Sequence, residues 1–216
     1  MWIVPVALVA LGVVLFLVLR GGGATGGILG GGGADETVPK LRFRTSKVIA
    51  VPVTDTKADQ LEHAARPVAA AVTRTMDALY TEAFLDPANW REGTYDDVWP
   101  LFEEGAGSSA QQQEQTLTLG TSAGDAFATV GKPKGKVAVK VLMNDQDRPL
   151  TAVAIVTFEA LGTGTDGTLT TIVSKGQYFL RPASDGWLVY SFSVSRHDVE
   201  TVPAPGPSAS ASAESS

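Results

Sequence analysis

The 216-residue chain has no cysteine, two histidines and few aromatic residues (7%), and each scarcity closes off some chemistry. Without cysteine there is no disulfide, thiolate metal site, cysteine nucleophile or lipid anchor on a cysteine. Two histidines leave little for imidazole catalysis or a multi-histidine metal centre. The net charge of −6 and the single short basic stretch argue against nucleic acid as a main partner. No G-x-S-x-G, H-E-x-x-H, P-loop or kinase signature occurs, so no reaction is announced by motif.

What is present begins with residues 2–19, WIVPVALVALGVVLFLVL, a run free of charge. As a helix rising about 1.5 Å per residue it approaches the ~30 Å hydrocarbon thickness of a bilayer. A cleaved signal peptide is the rival reading, with Gly22-Gly23-Ala24 as a cleavage site. It wants a basic residue before the apolar run, which only the amino terminus supplies. Residues 1–20 are therefore expected to be a transmembrane anchor. Arg20 flanks its far end and leaves the positive-inside comparison close to a tie.

Residues 21–40 read as a glycine-rich linker. Within RGGGATGGILGGGG, Gly21, Gly23 and Gly26 satisfy G-x-G-x-x-G as letters. A dinucleotide site, however, needs a strand before and a helix after, and neither is here. At the other end, residues 203–216 (PAPGPSASASAESS) hold no apolar side chain larger than alanine apart from proline, and are expected to be a disordered tail. That composition favours an extracytoplasmic location for the folded part, residues 41–202.

Within 41–202, Val68, Val72, Met76, Leu79, Tyr80 and Ala83 recur at helical spacing. They predict a long helix capped by Asp55 or Thr56, bent or restarted at Pro67 and ended before Pro87. TYDDVWPLFEE predicts a second helix with Thr94 as cap, and SSAQQQEQTLTLG a third, capped at Ser108 or Ser109 and stopped at Gly120. After Gly131 the period switches to two. Four strands follow, joined by NDQDRP, Asp166-Gly167 and Asp185-Gly186, with a bulge or bend expected at Gly176. The fold class expected is α+β: a curved four-stranded antiparallel meander packed on a long helix and two shorter ones, after a transmembrane helix.

That order of elements, with the closing segment GQYFLRPASDGWLVYSFSVSR, resembles the nuclear transport factor 2-like, or ketosteroid isomerase-like, cone fold. With the apolar segment included, the chain is similar to bitopic bacterial envelope proteins of the mammalian-cell-entry-associated kind. The resemblance implies helices closing one end of a sheet-lined cone. Enzymatic members carry an acid or histidine base in that cavity, and many others bind partners or dimerise through the sheet. Fold alone does not decide between them.

On this reading Asp77, Tyr80, Trp90, Trp99, Tyr178 and Tyr190 are the candidates to line a cavity, with Asp77 nearest to a buried acid. No catalytic residue, metal site or cofactor is expected. His63 beside Glu62, and His197 beside Asp198, are sequence neighbours that point apart on a helix or strand. The carboxylates from Asp77 to Glu104 suit helix starts and solvated faces better than a metal. Asp145-Gln146-Asp147 fails the calcium-loop template, because Pro149 and Leu150 stand where an oxygen ligand and glycine belong. Lys132, Lys134, Lys136 and Lys140 could meet anionic headgroups or an acidic partner, a solvated strand edge being the plainer account. The function expected is a non-catalytic, membrane-anchored interaction or scaffold module of the cell envelope that docks an envelope protein or itself. A small apolar or lipid-like ligand in the cone, or isomerase-like chemistry, are the alternatives.

Overall fold

The computed structural model describes residues 37–53 and 58–201. The apolar segment 2–19, linker residues 21–36, the candidate caps Asp55 and Thr56, and the tail 203–216 lie outside the described residues. Among the described residues no helix is long and apolar enough to cross a membrane.

The sheet has five strands in the order β1-β2-β3-β4-β5 and is mixed, which corrects the expected four-stranded antiparallel meander. The meander is present as β2 (Phe127–Met143), β3 (Pro149–Gly164), β4 (Leu169–Ala183) and β5 (Gly186–Thr201), each antiparallel to the next. The additional strand, β1 (Arg44–Pro52), runs parallel to β2. Its sequence RTSKVIAVP carries a continuous apolar run instead of an alternation, and its partner lies far along the chain, so no local pattern marks it. β1 covers β2 from Lys136 to Met143, so Lys136 and Lys140 lie inside the sheet and not on its edge as expected, whereas Lys132 and Lys134 precede that pairing.

Between β1 and β2 the chain crosses over through helices. α1 (Ala58–Tyr80) passes through Pro67 as one continuous helix, without a restart. Leu61, Ala65, Ala69, Val72, Met76, Leu79 and Tyr80 are buried, a stripe at steps of three and four that faces the sheet. A π-helical turn, Thr81–Leu85, follows and buries Ala83, Phe84 and Leu85.

α2 (Pro87–Glu92) has signals that sequence reasoning passed over. Asp86 caps it by accepting the Ala88 N–H at 2.9 Å, Pro87 occupies the first turn, and Gly93 ends it at φ 67°. A side chain at Gly93 would place its Cβ 2.6 Å from the Thr121 carbonyl oxygen, so glycine is required there twice over.

The helix expected over TYDDVWPLFEE is instead a set of turns ending in a single 3₁₀ turn, Trp99–Leu101, around Pro100. Proline removes a donor and disfavours helical backbone in the residue before it, which outweighs the capping pattern. The expected third helix begins earlier, as α3 (Glu104–Gln112), breaks at Gln113 and resumes as α4 (Glu114–Leu117). A short α5 (Ala123–Ala126) leads into β2.

Registers run unbroken through Gly176, so no bulge occurs there; the irregularity falls between Phe179 and Leu180, opposite Tyr190. A Cβ on Gly176 would lie 2.4 Å from the Ser193 carbonyl oxygen and 2.6 Å from Val194 Cα. The backbones approach closely at that point, and it is this contact, not the bulge or bend expected, that calls for glycine.

Alternation divides the sheet into two faces. Val137, Val139 and Val141, then Ala152, Ala154, Val156 and Phe158, are buried beneath α1. Intervening positions such as Lys136, Lys140, Thr157 and Lys175 are exposed on the opposite face. Each large apolar side chain fully withdrawn from water contributes about 1.5–3 kcal/mol, so the α1-facing side supplies the main driving force for folding.

Candidate functional site

The sequence-derived candidates divide between a closed interior and the surface. Tyr80, from the end of α1, stands at the centre of the interior. Its ring packs edge-on to Phe43 (5.2 Å between centroids), stacks on Phe84 (5.3 Å) and tilts against Phe158 (4.9 Å). Tyr178 meets it edge-on at 6.1 Å. These geometries are the favourable ones for ring quadrupoles.

The polar ends of these rings are resolved among themselves. Tyr178 donates its hydroxyl to Tyr80 Oη at 3.1 Å, and Tyr80 Oη lies 3.0 Å from Ser174 Oγ. All three side chains are buried. Burial drives both tyrosine pKa values up: for Tyr80 the hydrogen bonds to Ser174 and Tyr178 partly offset it, and for Tyr178 its neighbour Tyr80 adds to it. Neither phenol is poised to ionise near neutrality, and the group works as a satisfied polar chain inside an apolar core. Ser174 escaped sequence reasoning, although it alternates with Ile172 and Tyr178 on one face of β4.

Asp77 is half-buried and structural. Its carboxylate accepts the Phe43 N–H at 2.6 Å and so pins the segment entering β1 to α1. Burial raises its pKa, opposed by that hydrogen bond and by the nearby Arg42. Trp90 is buried, with its Nε1–H unpartnered. Trp99 is half-buried against Phe102 at 6.4 Å. Tyr190 is separate from the interior group: it accepts a hydrogen bond from Thr151 at 3.3 Å and lies under the Arg181 guanidinium at 4.3 Å. Thus Tyr80 and Tyr178 come together, Asp77 is linked to them through Phe43, and Tyr190 is not part of the group.

The remaining candidate chemistry disperses. His63 and His197 are exposed on different elements. Glu82 accepts from Asn89 at 2.9 Å, Asp86 caps α2, and Glu103 pairs with Arg181 at 3.2 Å. Among the described residues no group of three or more potential ligands is placed to hold a metal. Arg196 and Asp198 form an ion pair, and Arg196 also donates to the carbonyls of Thr118 (2.6 Å) and Gln115 (3.2 Å), stapling α4 to β5. Tyr95 donates to the Gly120 carbonyl at 3.0 Å, and burial pushes its pKa up to about 12.

Among the described residues, two surfaces combine apolar and charged groups. A cleft of about 520 Å³ lies between α1, the 3₁₀ turn and the β4–β5 hairpin. Leu101, Trp187 and Leu188 give it an apolar floor, while Arg74 and Asp185 stand at its rim, and none of the interior tyrosines lines it. The second surface is the outer face of the sheet. There Ile49, Val153, Ile155 and Phe179 form a half-buried apolar band, with exposed cations beside it. Comparison of the chain with protein-family models, curated proteins and solved structures returns no match.

Proposed function

We propose that the chain is a non-catalytic interaction module of the cell envelope, held at a membrane by residues 2–19, with its folded part on the extracytoplasmic side. The observation that carries this reading is the closed interior. Where a ligand-binding or isomerase-like member of a cone fold would keep a cavity and an ionisable group, this chain places packed rings whose hydroxyls satisfy one another. A long helix packed on an antiparallel four-strand run within the sheet supports the likeness to nuclear transport factor 2-like proteins as part of the same proposal.

Docking then falls to the surface, and the cleft beside Trp187 is the better shaped of the two. It combines an apolar floor with one cation and one carboxylate at the rim, the make-up of a small protein-binding pocket with a polar border. The partner is an envelope protein or a second copy of the chain. A photo-crosslinking residue at Leu101 in the full-length, membrane-inserted protein should give a defined adduct, lost in Arg74→Glu and absent when the probe stands at exposed Glu62. A strictly monomeric protein without adducts at either position would sink the reading.

A further inference from the structure

The outer face of the sheet has a charge balance opposite to that of the whole chain. Although the net charge is −6, alternation places Arg44, Lys47, Lys134, Lys136, Lys140 and Lys175 on this face. The carboxylate among them is Glu159, and it is already paired with Lys134 at 3.5 Å. Arg44 and Lys136 occupy directly paired positions on β1 and β2, and Thr157 then Lys175 continue the row across β3 and β4. Like charges at paired positions of a sheet repel, and no carboxylate is placed between these two to relieve them.

The geometry points to an anionic phospholipid surface as the occupant of this face, with the sheet lying against the bilayer and α1 turned away from it. Three observations single out a lipid surface. First, the cations come from β1, β2 and β4 and so extend across four neighbouring strands about 4.8 Å apart, a broad array matched to many headgroups and not to one side chain. Second, Ile49, Val153, Ile155 and Phe179 form an apolar band among them that can enter the headgroup boundary. Third, β1 is the strand nearest the anchor in sequence. Seventeen residues, 20–36, separate the apolar segment from the first described residue. Seventeen residues reach at most about 60 Å even when fully extended, which keeps the fold within range of an anchoring bilayer. Each lysine near an anionic surface is worth about a fivefold preference, decaying within a Debye length of about 10 Å at moderate salt. The inference rests on residues 2–19 acting as an anchor.

The absence of cysteine makes the test direct. The full chain carrying Thr157→Cys, on the outer face, or Ser109→Cys, on α3, is labelled with a fluorophore. Each is reconstituted in vesicles of phosphatidylcholine alone or of an equal mixture with phosphatidylglycerol, both doped with a nitroxide-labelled lipid. Quenching at position 157 should be several-fold stronger in the mixed vesicles, should fall as salt is raised, and should drop to the neutral-vesicle level in K136E/K140E/K175E. Position 109 should report little quenching in either lipid.

Equal quenching at 157 in both lipids, or protection that depends on protein density in place of lipid charge, overturns the inference; the second result would mean that another copy covers the face. Flotation of the unlabelled chain separates this failure from failure of the anchor. Flotation with both vesicles at high salt keeps the anchor whatever the quenching shows. Flotation with the anionic vesicles alone keeps the basic face and removes the anchor, and flotation with neither removes both.

Discussion

The two faces of one sheet are built by opposite rules. On the side toward α1, alternate residues of β2 from Val137, of β3 from Ala152 to Gly162 and of β4 from Thr170 to Leu180 are buried, Gly176 excepted, and the hydroxyls at the centre, on Tyr80, Tyr178 and Ser174, bond to one another. On the other side the same strands carry lysines at paired or nearby positions with one carboxylate among them. The first face minimises unsatisfied interactions, whereas the second leaves charge unbalanced. Natural sequences are locally consistent where stability is decided, so the unbalanced face is where something other than stability shaped the residues.

Substitutions can sharpen that contrast. Phe158→Ala should have the largest effect, lowering stability by about 3–5 kcal/mol through lost burial and a cavity among four rings. Thermal or urea unfolding of the protein reads this directly. Tyr80→Phe comes next, at about 1–3 kcal/mol, because it orphans both Ser174 and Tyr178; Tyr178→Phe removes only the end of the chain of hydroxyls and should cost less. If the two tyrosine variants were equally destabilised, the hydrogen-bond order described above would be wrong.

Asp77→Asn tests the border between the faces through pH. Burial raises the Asp77 pKa above its ordinary value, so the folded chain holds that proton more tightly than the unfolded chain does. Between the unfolded value and the raised folded one, this residue's contribution to stability therefore grows as pH falls and is lost as pH rises through the folded pKa. The stability of the parent minus that of Asp77→Asn should show that slope from the ordinary carboxylate value of 3.8 upward, and a flat difference from there to neutral pH would refute it. Lys140→Glu should change stability least, within about 0.5 kcal/mol, as expected of an exposed position. A destabilisation as large as that of Tyr80→Phe would show that the outer face serves the fold after all.

The sequence made parts of this contrast legible. Steps of three and four from Val68 to Ala83 mark α1, and period-two alternation with Asp-Gly turns marks the four-strand meander. Asp86-Pro87 and Gly93 were equally readable as the two ends of α2, but the run is too short to show an apolar period. β1 was not readable, because parallel pairing with a distant strand leaves no turn and no alternation. Placing Lys136 and Lys140 on an edge followed from missing that strand. Of the residues named as cavity candidates, Tyr80 and Tyr178 lie side by side in a packed interior. Ser174 was invisible because a lone serine in a strand is ordinarily a solvated one.

The parallel pairing of β1 also governs the order in which the protein can assemble. Arg44 meets Lys136, ninety-two positions later, while β3, β4 and β5 each meet their predecessor across a short turn. Closing the longer loop costs roughly 2–3 kcal/mol more chain entropy than closing a hairpin. On the ribosome β1 emerges early and has no mate until residues 136–143 have been synthesised. The first strand made must therefore wait, unpaired, for nearly half of the chain to follow it.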